Sequence, residues 1–82
     1  MTKNEFKSEI NKAKLGGRTI VDSKGYCGTP NFTGCFYNGE TWNVYENDER
    51  GLHEDILNTK SEGEAFQFLY DYLVGMSLNG VE

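Results

Sequence analysis

The chain predicts an α+β fold: a three- or four-stranded antiparallel sheet with an N-terminal and a C-terminal helix packed on one face. Three observations carry this. Helix-start signals stand near both ends, at Thr2 and Ser61. The stretch between them, from Arg18 to about Asn58, is rich in β-branched and aromatic residues and broken by glycine turns. Each helix also carries an apolar stripe that it cannot bury alone, so both must lie against the sheet.

At the first helix, Thr2 and Glu5 have the spacing of a capping box, and Met1 and Phe6 that of a hydrophobic staple. Phe6, Ile10 and Ala13 recur at helical spacing and define one apolar face. Gly16-Gly17 is the expected end, because glycine accepts the left-handed conformation of a C-cap.

Thr19-Ile20-Val21 reads as a short strand, followed by a glycine-bracketed loop holding Tyr26, Cys27 and Phe32. Cys35-Phe36-Tyr37, then Asn38-Gly39, then Glu40 to Tyr45 form the strongest hairpin signal, since Asn-Gly suits a type I′ turn. A two-residue turn sets Tyr37 opposite Glu40, Phe36 opposite Thr41 and Cys35 opposite Trp42. Trp42 and Val44 then share the core face, and Asn43 and Tyr45 the other, which is expected to be partly bare. Asn47 to Gly51 is a second turn, and Leu52 to Asn58 a weaker strand.

Ser61 and Glu64 make a second capping box for the last helix. Ala65, Leu69, Tyr72, Leu73 and Met76 define its buried face, with Phe66 and Phe68 flanking it. Fraying is expected from Gly75 to Asn79, with a loose tail over residues 80–82.

The 82 residues read as a single domain, 1–82, with a modest core. Eleven aromatic rings compensate for a hydrophobic fraction of 37% and argue against disorder. No apolar run is long enough to span a membrane, and the first residues lack the apolar segment of a signal peptide. The expected compartment is the cytoplasm, where Cys27 and Cys35 stay free thiols. Residues 1–24 hold six basic and three acidic side chains, whereas residues 25–82 hold two and ten. The acidic part repels phosphate and attracts basic protein surfaces, so a protein partner is expected rather than nucleic acid.

Catalytic chemistry is poorly supplied. His53 is the only histidine, so a thiol nucleophile depends on a Cys35–His53 pair, and the turn carboxylates lack a desolvating pocket. Two cysteines and one histidine fall short of a zinc site, and neither calcium-loop nor phosphate-loop spacing occurs. No cofactor and no enzymatic activity are expected. The alternative to a binding role is a small hydrolase using Cys35 or the turn carboxylates.

Aromatic and charged residues combine in Trp42 to Gly51. Tyr45, Glu46, Asp48, Glu49 and Arg50, with Glu54 and Asp55, are the candidate partner-binding residues, because tyrosine and arginine favour hot spots and carboxylates steer association. Trp42 reads either as core or as interface. Trp42-x-Val44-Tyr45-x-x-Asp48-Glu49-Arg50-Gly51, followed by a strand and by Ser61-Glu62-x-Glu64-Ala65 opening an aromatic-rich helix, resembles small immunity proteins of bacterial polymorphic toxin systems. The resemblance covers roughly residues 42–76. It implies an inhibitor of a cognate toxin domain, monomeric or weakly dimeric when free. A second binding role is a phage- or plasmid-encoded acidic inhibitor of a nucleic-acid-binding enzyme.

Overall fold

The computed structural model describes residues 1–80, so the expected loose tail lies outside the described residues except for Gly80. Helix α1 spans Lys3–Ala13, strands β1 to β4 span Thr19–Ile20, Thr33–Tyr37, Trp42–Asn47 and His53–Thr59, and helix α2 spans Glu62–Gly80. The four strands form one sheet in sequence order.

The Thr2–Glu5 capping box forms in both directions. Helix α1 stops before the glycine pair, however, with Lys14 in the left-handed conformation as its cap. The Leu15 N–H donates to the Ile10 carbonyl at 2.9 Å, the six-to-one bond of a Schellman turn. This turn lays Leu15 against the core, a place that exposed Ala13 does not take. Gly16 and Gly17 instead open a 3-10 turn, Gly16–Arg18, leading into β1.

The sheet is mixed rather than purely antiparallel. Strand β1 runs parallel to β2, while β2–β3 and β3–β4 are antiparallel. Parallel neighbours need a crossover of about a dozen residues instead of a hairpin, and residues 21–32 supply it.

In the β2–β3 hairpin, Tyr37 pairs with Trp42, Phe36 with Asn43 and Cys35 with Val44, two residues from the expected register. Asn38 accounts for the shift. Its side-chain oxygen accepts the Glu40 and Thr41 N–H groups at 2.9 and 2.8 Å, which closes a longer loop. Asn38 does not take the positive φ that a type I′ turn demands of it. A slip by two leaves every side chain on its expected face, whereas a slip by one inverts them all.

One face of the sheet presents Cys35 and Val44 to both helices. Phe6, Ile10, Val21, Ala65, Phe66, Leu69 and Leu73 complete this core. Phe66 is its centre rather than a flank, since its ring meets Phe6 and Trp42, each at 5.3 Å between centroids. Each such side chain contributes about 1.5–3 kcal/mol on burial. Trp42 is half-buried against this core. Met76 is largely exposed, and α2 continues through Gly75 to Gly80 instead of fraying. A lone helical glycine costs only about 1 kcal/mol. Ser61 Oγ accepts the Glu64 N–H at 3.1 Å, but the Ser61 N–H goes to Thr59 Oγ1 at 3.2 Å. Glu62 reaches back to cap α1, accepting the Lys3 N–H at 2.9 Å.

The other face is not bare. Residues 23–32 of the crossover lie across it, after Val21 and Asp22 have met the helix-side core and the α1 lysines Lys3 and Lys7, and Phe36, Asn43, Tyr45 and Asn47 are all buried.

Candidate partner-binding surface

Tyr45 organises the covered face. Its strand places it beside Gly34 on β2, and the ring lies across that residue; any Cβ at position 34 would overlap it. The Tyr45 hydroxyl then reaches the crossover and accepts the Cys27 N–H at 3.1 Å. Asn47 holds the same segment, with Nδ2 donating to the Cys27 and Thr29 carbonyls at 2.8 Å each. Gly51, at φ 83°, lets the β3–β4 turn press against the Gly28 carbonyl, where a side chain has no room.

These contacts hold Tyr26 on the outside of the sheet. Its ring packs edge-on to Phe36 and Tyr45, at 4.9 Å from each, and stacks on His53 at 3.6 Å. The Tyr26 hydroxyl donates to Asp55 Oδ1 at 2.6 Å and accepts from Asn43 Nδ2 at 3.2 Å. Hydrogen bonding to the Asp55 carboxylate, helped by partial burial and opposed by Asn43, raises the Tyr26 phenol above its ordinary value. Asn43 is itself fixed, because its Oδ1 accepts from Asn38, Thr41 and Asn58. Tyr26 stays 39% exposed, an aromatic surface with its ring and hydroxyl both immobilised.

The candidate residues from the sequence fall in three places around one end of the β3–β4 hairpin. Glu46 and Glu54 are cross-strand partners on the helix side, where Glu46 accepts a hydrogen bond from the Tyr72 hydroxyl. Burial, then the Glu46 and Glu54 carboxylates, push the Tyr72 phenol up to about 12. Asp55 lies on the opposite side beneath Tyr26. Asp48, Glu49 and Arg50 form the exposed turn between these two groups. Asp48 Oδ1 is partly occupied, accepting the Arg50 and Leu52 N–H groups at 2.8 and 3.0 Å. Among the described residues no ion pair involves Arg50. Tyr45 is fully buried and supports the surface only through Tyr26.

The sequence placed Tyr26 only in a loop and offered His53 only as a partner for Cys35. The available signal was the length of the glycine-bracketed connection, since long ordered loops in small domains are commonly functional. The Cys35–His53 pair does not form. Cys35 is buried on the helix side, its thiol pushed up to about 12 by burial, while His53 stacks on Tyr26 across the sheet. Both cysteines are free. Among the described residues no cluster of three or more His, Cys, Asp or Glu has metal-binding geometry, and no helix is long and apolar enough to cross a membrane. Compared with protein-family profiles, curated proteins and solved structures, the chain matches none.

Proposed function

We propose that the chain is a protein-binding inhibitor, an immunity protein that neutralises a cognate bacterial toxin domain through the end of the β3–β4 hairpin. The observation that carries the reading is Tyr26, an exposed tyrosine immobilised by His53, Asp55 and Asn43. An aromatic anchor already fixed in place loses little freedom on binding, so more of its contact energy appears as affinity. Asp55 bonds to it, and the exposed carboxylates Asp48 and Glu49 of the adjoining turn, with Glu54 on the other face of β4, steer a basic surface toward this end of the hairpin.

The test is co-expression with the toxin domain encoded beside this chain, scored by cell survival and by binding kinetics. Wild type protects. Tyr26→Ala raises the dissociation rate, and Asp48→Lys/Glu49→Lys/Glu54→Lys slows association and flattens its salt dependence. Full protection by a folded Tyr26→Ala variant would remove Tyr26 from the interface. Failure of the wild type to bind or protect would sink the immunity reading.

A further inference from the structure

A cleft of about 580 Å³ opens on the helix side of the sheet, between the α1–β1 link and helix α2, and we propose that it binds a free α-amino acid with an apolar side chain. Its volume falls within the range of small-molecule sites, about 300–1,000 Å³. Floor and walls each select one part of that ligand.

The floor is polar and short of partners. Strand pairing sets Thr19 beside Thr33, and Thr33 beside Glu46. Side-chain alternation then puts all three on the face of Cys35 and Val44, beneath the helices. Thr19 Oγ1 is buried with no hydrogen-bond partner. Thr33 lines the cleft, is 3% exposed, and makes no side-chain hydrogen bond among the described residues. Buried hydroxyls are nearly always paired in native proteins, so two adjacent ones without partners call for a group that arrives from outside.

Two walls carry opposite charge. Lys14 and Arg18 stand on the link, and among the described residues neither has an ion-pair partner. Glu46 and Asp48 stand on the sheet side. Both are held in place, Glu46 by the Tyr72 hydroxyl and Asp48 by the Arg50 and Leu52 N–H groups. A lone anion in the cleft would face these carboxylates, and a lone cation would face Lys14 and Arg18. A zwitterion satisfies both walls where neither single charge does. The remaining surface is apolar, formed by Leu15 of the link with Leu73 and Met76 of α2, and Met76 is 46% exposed. A side chain the size of leucine or methionine covers it and removes it from water. The cleft lies across the sheet from Tyr26 and shares Asp48 alone with the steering carboxylates, so the site stands apart from the proposed function.

The experiment titrates the full chain with L-leucine by calorimetry and places the ligand by amide chemical shifts. The expected result is saturable binding, with shifts at Thr19, Thr33 and Leu73. Leucinamide lacks the carboxylate, N-acetyl-leucine the ammonium and glycine the apolar body, and each should bind about tenfold or more weaker. Arg18→Gln, at an exposed position, should weaken leucine by about tenfold. Thr33→Val deletes a hydroxyl that pairs with nothing in the free protein. It should weaken leucine while leaving the melting temperature unchanged or raised, a combination that a merely structural threonine does not give. No saturation up to about 10 mM leucine overturns the site. Equal binding of leucine and leucinamide, or shifts confined to the Tyr26 face, overturns it as well. If Thr33→Val does not fold, Arg18→Gln and the ligand series decide.

Discussion

The two faces of the sheet are both buried, but by different physics. On the helix side, Cys35 and Val44 meet Phe6, Phe66, Leu69 and Leu73, and the stabilisation is apolar area removed from water. On the crossover side, Tyr45, Asn43 and Asn47 are buried only because hydroxyl and amide groups find partners in residues 21–32. Apolar packing tolerates small shifts of its neighbours. A hydrogen-bonded cover depends on a few directed contacts, so its loss is local and abrupt. The residues available to a partner, Tyr26 and Asp55, belong to the second kind of face.

The largest effect should come from the helix side. Phe66→Ala removes a fully buried ring and should cost about 3–5 kcal/mol, and Leu69→Ala about 2–5. In a domain of this size each kilocalorie lowers the melting temperature by about 4–8 °C, so calorimetry reads the loss directly. A shift within error for both would show that α2 does not hold the core as described.

Gly34→Ala probes the boundary between the two faces. Its Cβ would overlap the Tyr45 ring, and such overpacking costs about 1–3 kcal/mol. The expected signature is a displaced crossover, seen as greater solvent exposure of Tyr26 by tyrosine fluorescence quenching. Unchanged quenching with unchanged stability would mean that Tyr45 does not lie across Gly34.

Tyr45→Phe keeps the ring and deletes only the hydroxyl, leaving the part-buried Cys27 N–H unpaired at a cost of about 1 kcal/mol. Amide exchange should accelerate in residues 23–31 while α1 and α2 keep their protection. Equal acceleration everywhere would erase the distinction, because the crossover and the helices would then open as one unit.

Titration separates the faces as well. Burial raises the Cys35 thiol on the helix side to about 12, from an ordinary value of 9. Burial and the Glu46 carboxylate raise the Tyr72 phenol from 10 to about 12. For both, the folded state prefers the protonated form. Their contribution is therefore complete below the ordinary values and is lost as pH rises from there through about 12. Cys27 has the opposite sign, since its depressed thiol contributes above pH 9 and loses that contribution as pH falls through its lowered value. Urea midpoints should decline above pH 9, and Cys35→Val should move the onset of that decline to about pH 10 by leaving the raised tyrosines Tyr26, Tyr45 and Tyr72. An onset that stays at pH 9 in this variant would remove Cys35 as its cause.

The smallest effect tests the C-terminal end of α1. Lys14 holds a left-handed conformation at φ 58°, which costs a non-glycine residue roughly 1–2 kcal/mol. Lys14→Gly should therefore raise stability by about 0.5–1 kcal/mol after the entropy that glycine loses on folding. A fall in the melting temperature would mean that the Lys14 side chain contributes a contact outweighing its strain.

Local chemistry in the sequence determined the two helix starts at Thr2 and Ser61, the antiparallel pairing of β3 with β2 and β4, and the face on which Val44 lies. Capping and side-chain alternation act over a few residues, and the sequence displays them directly. Even the wrong turn length at Asn38 did no harm to the faces, because the error was an even number of residues. Tertiary structure alone decided that β1 runs parallel to β2, that residues 23–32 cover the second face, and that Tyr26 rather than Tyr45 meets solvent. Those outcomes rest on contacts such as Tyr45 with Cys27 and Asn47 with Thr29, each formed by groups 18 residues apart. No periodicity encodes them, since the partners meet only after the sheet has closed and a buried hydroxyl or amide must be paired wherever a partner lies within reach.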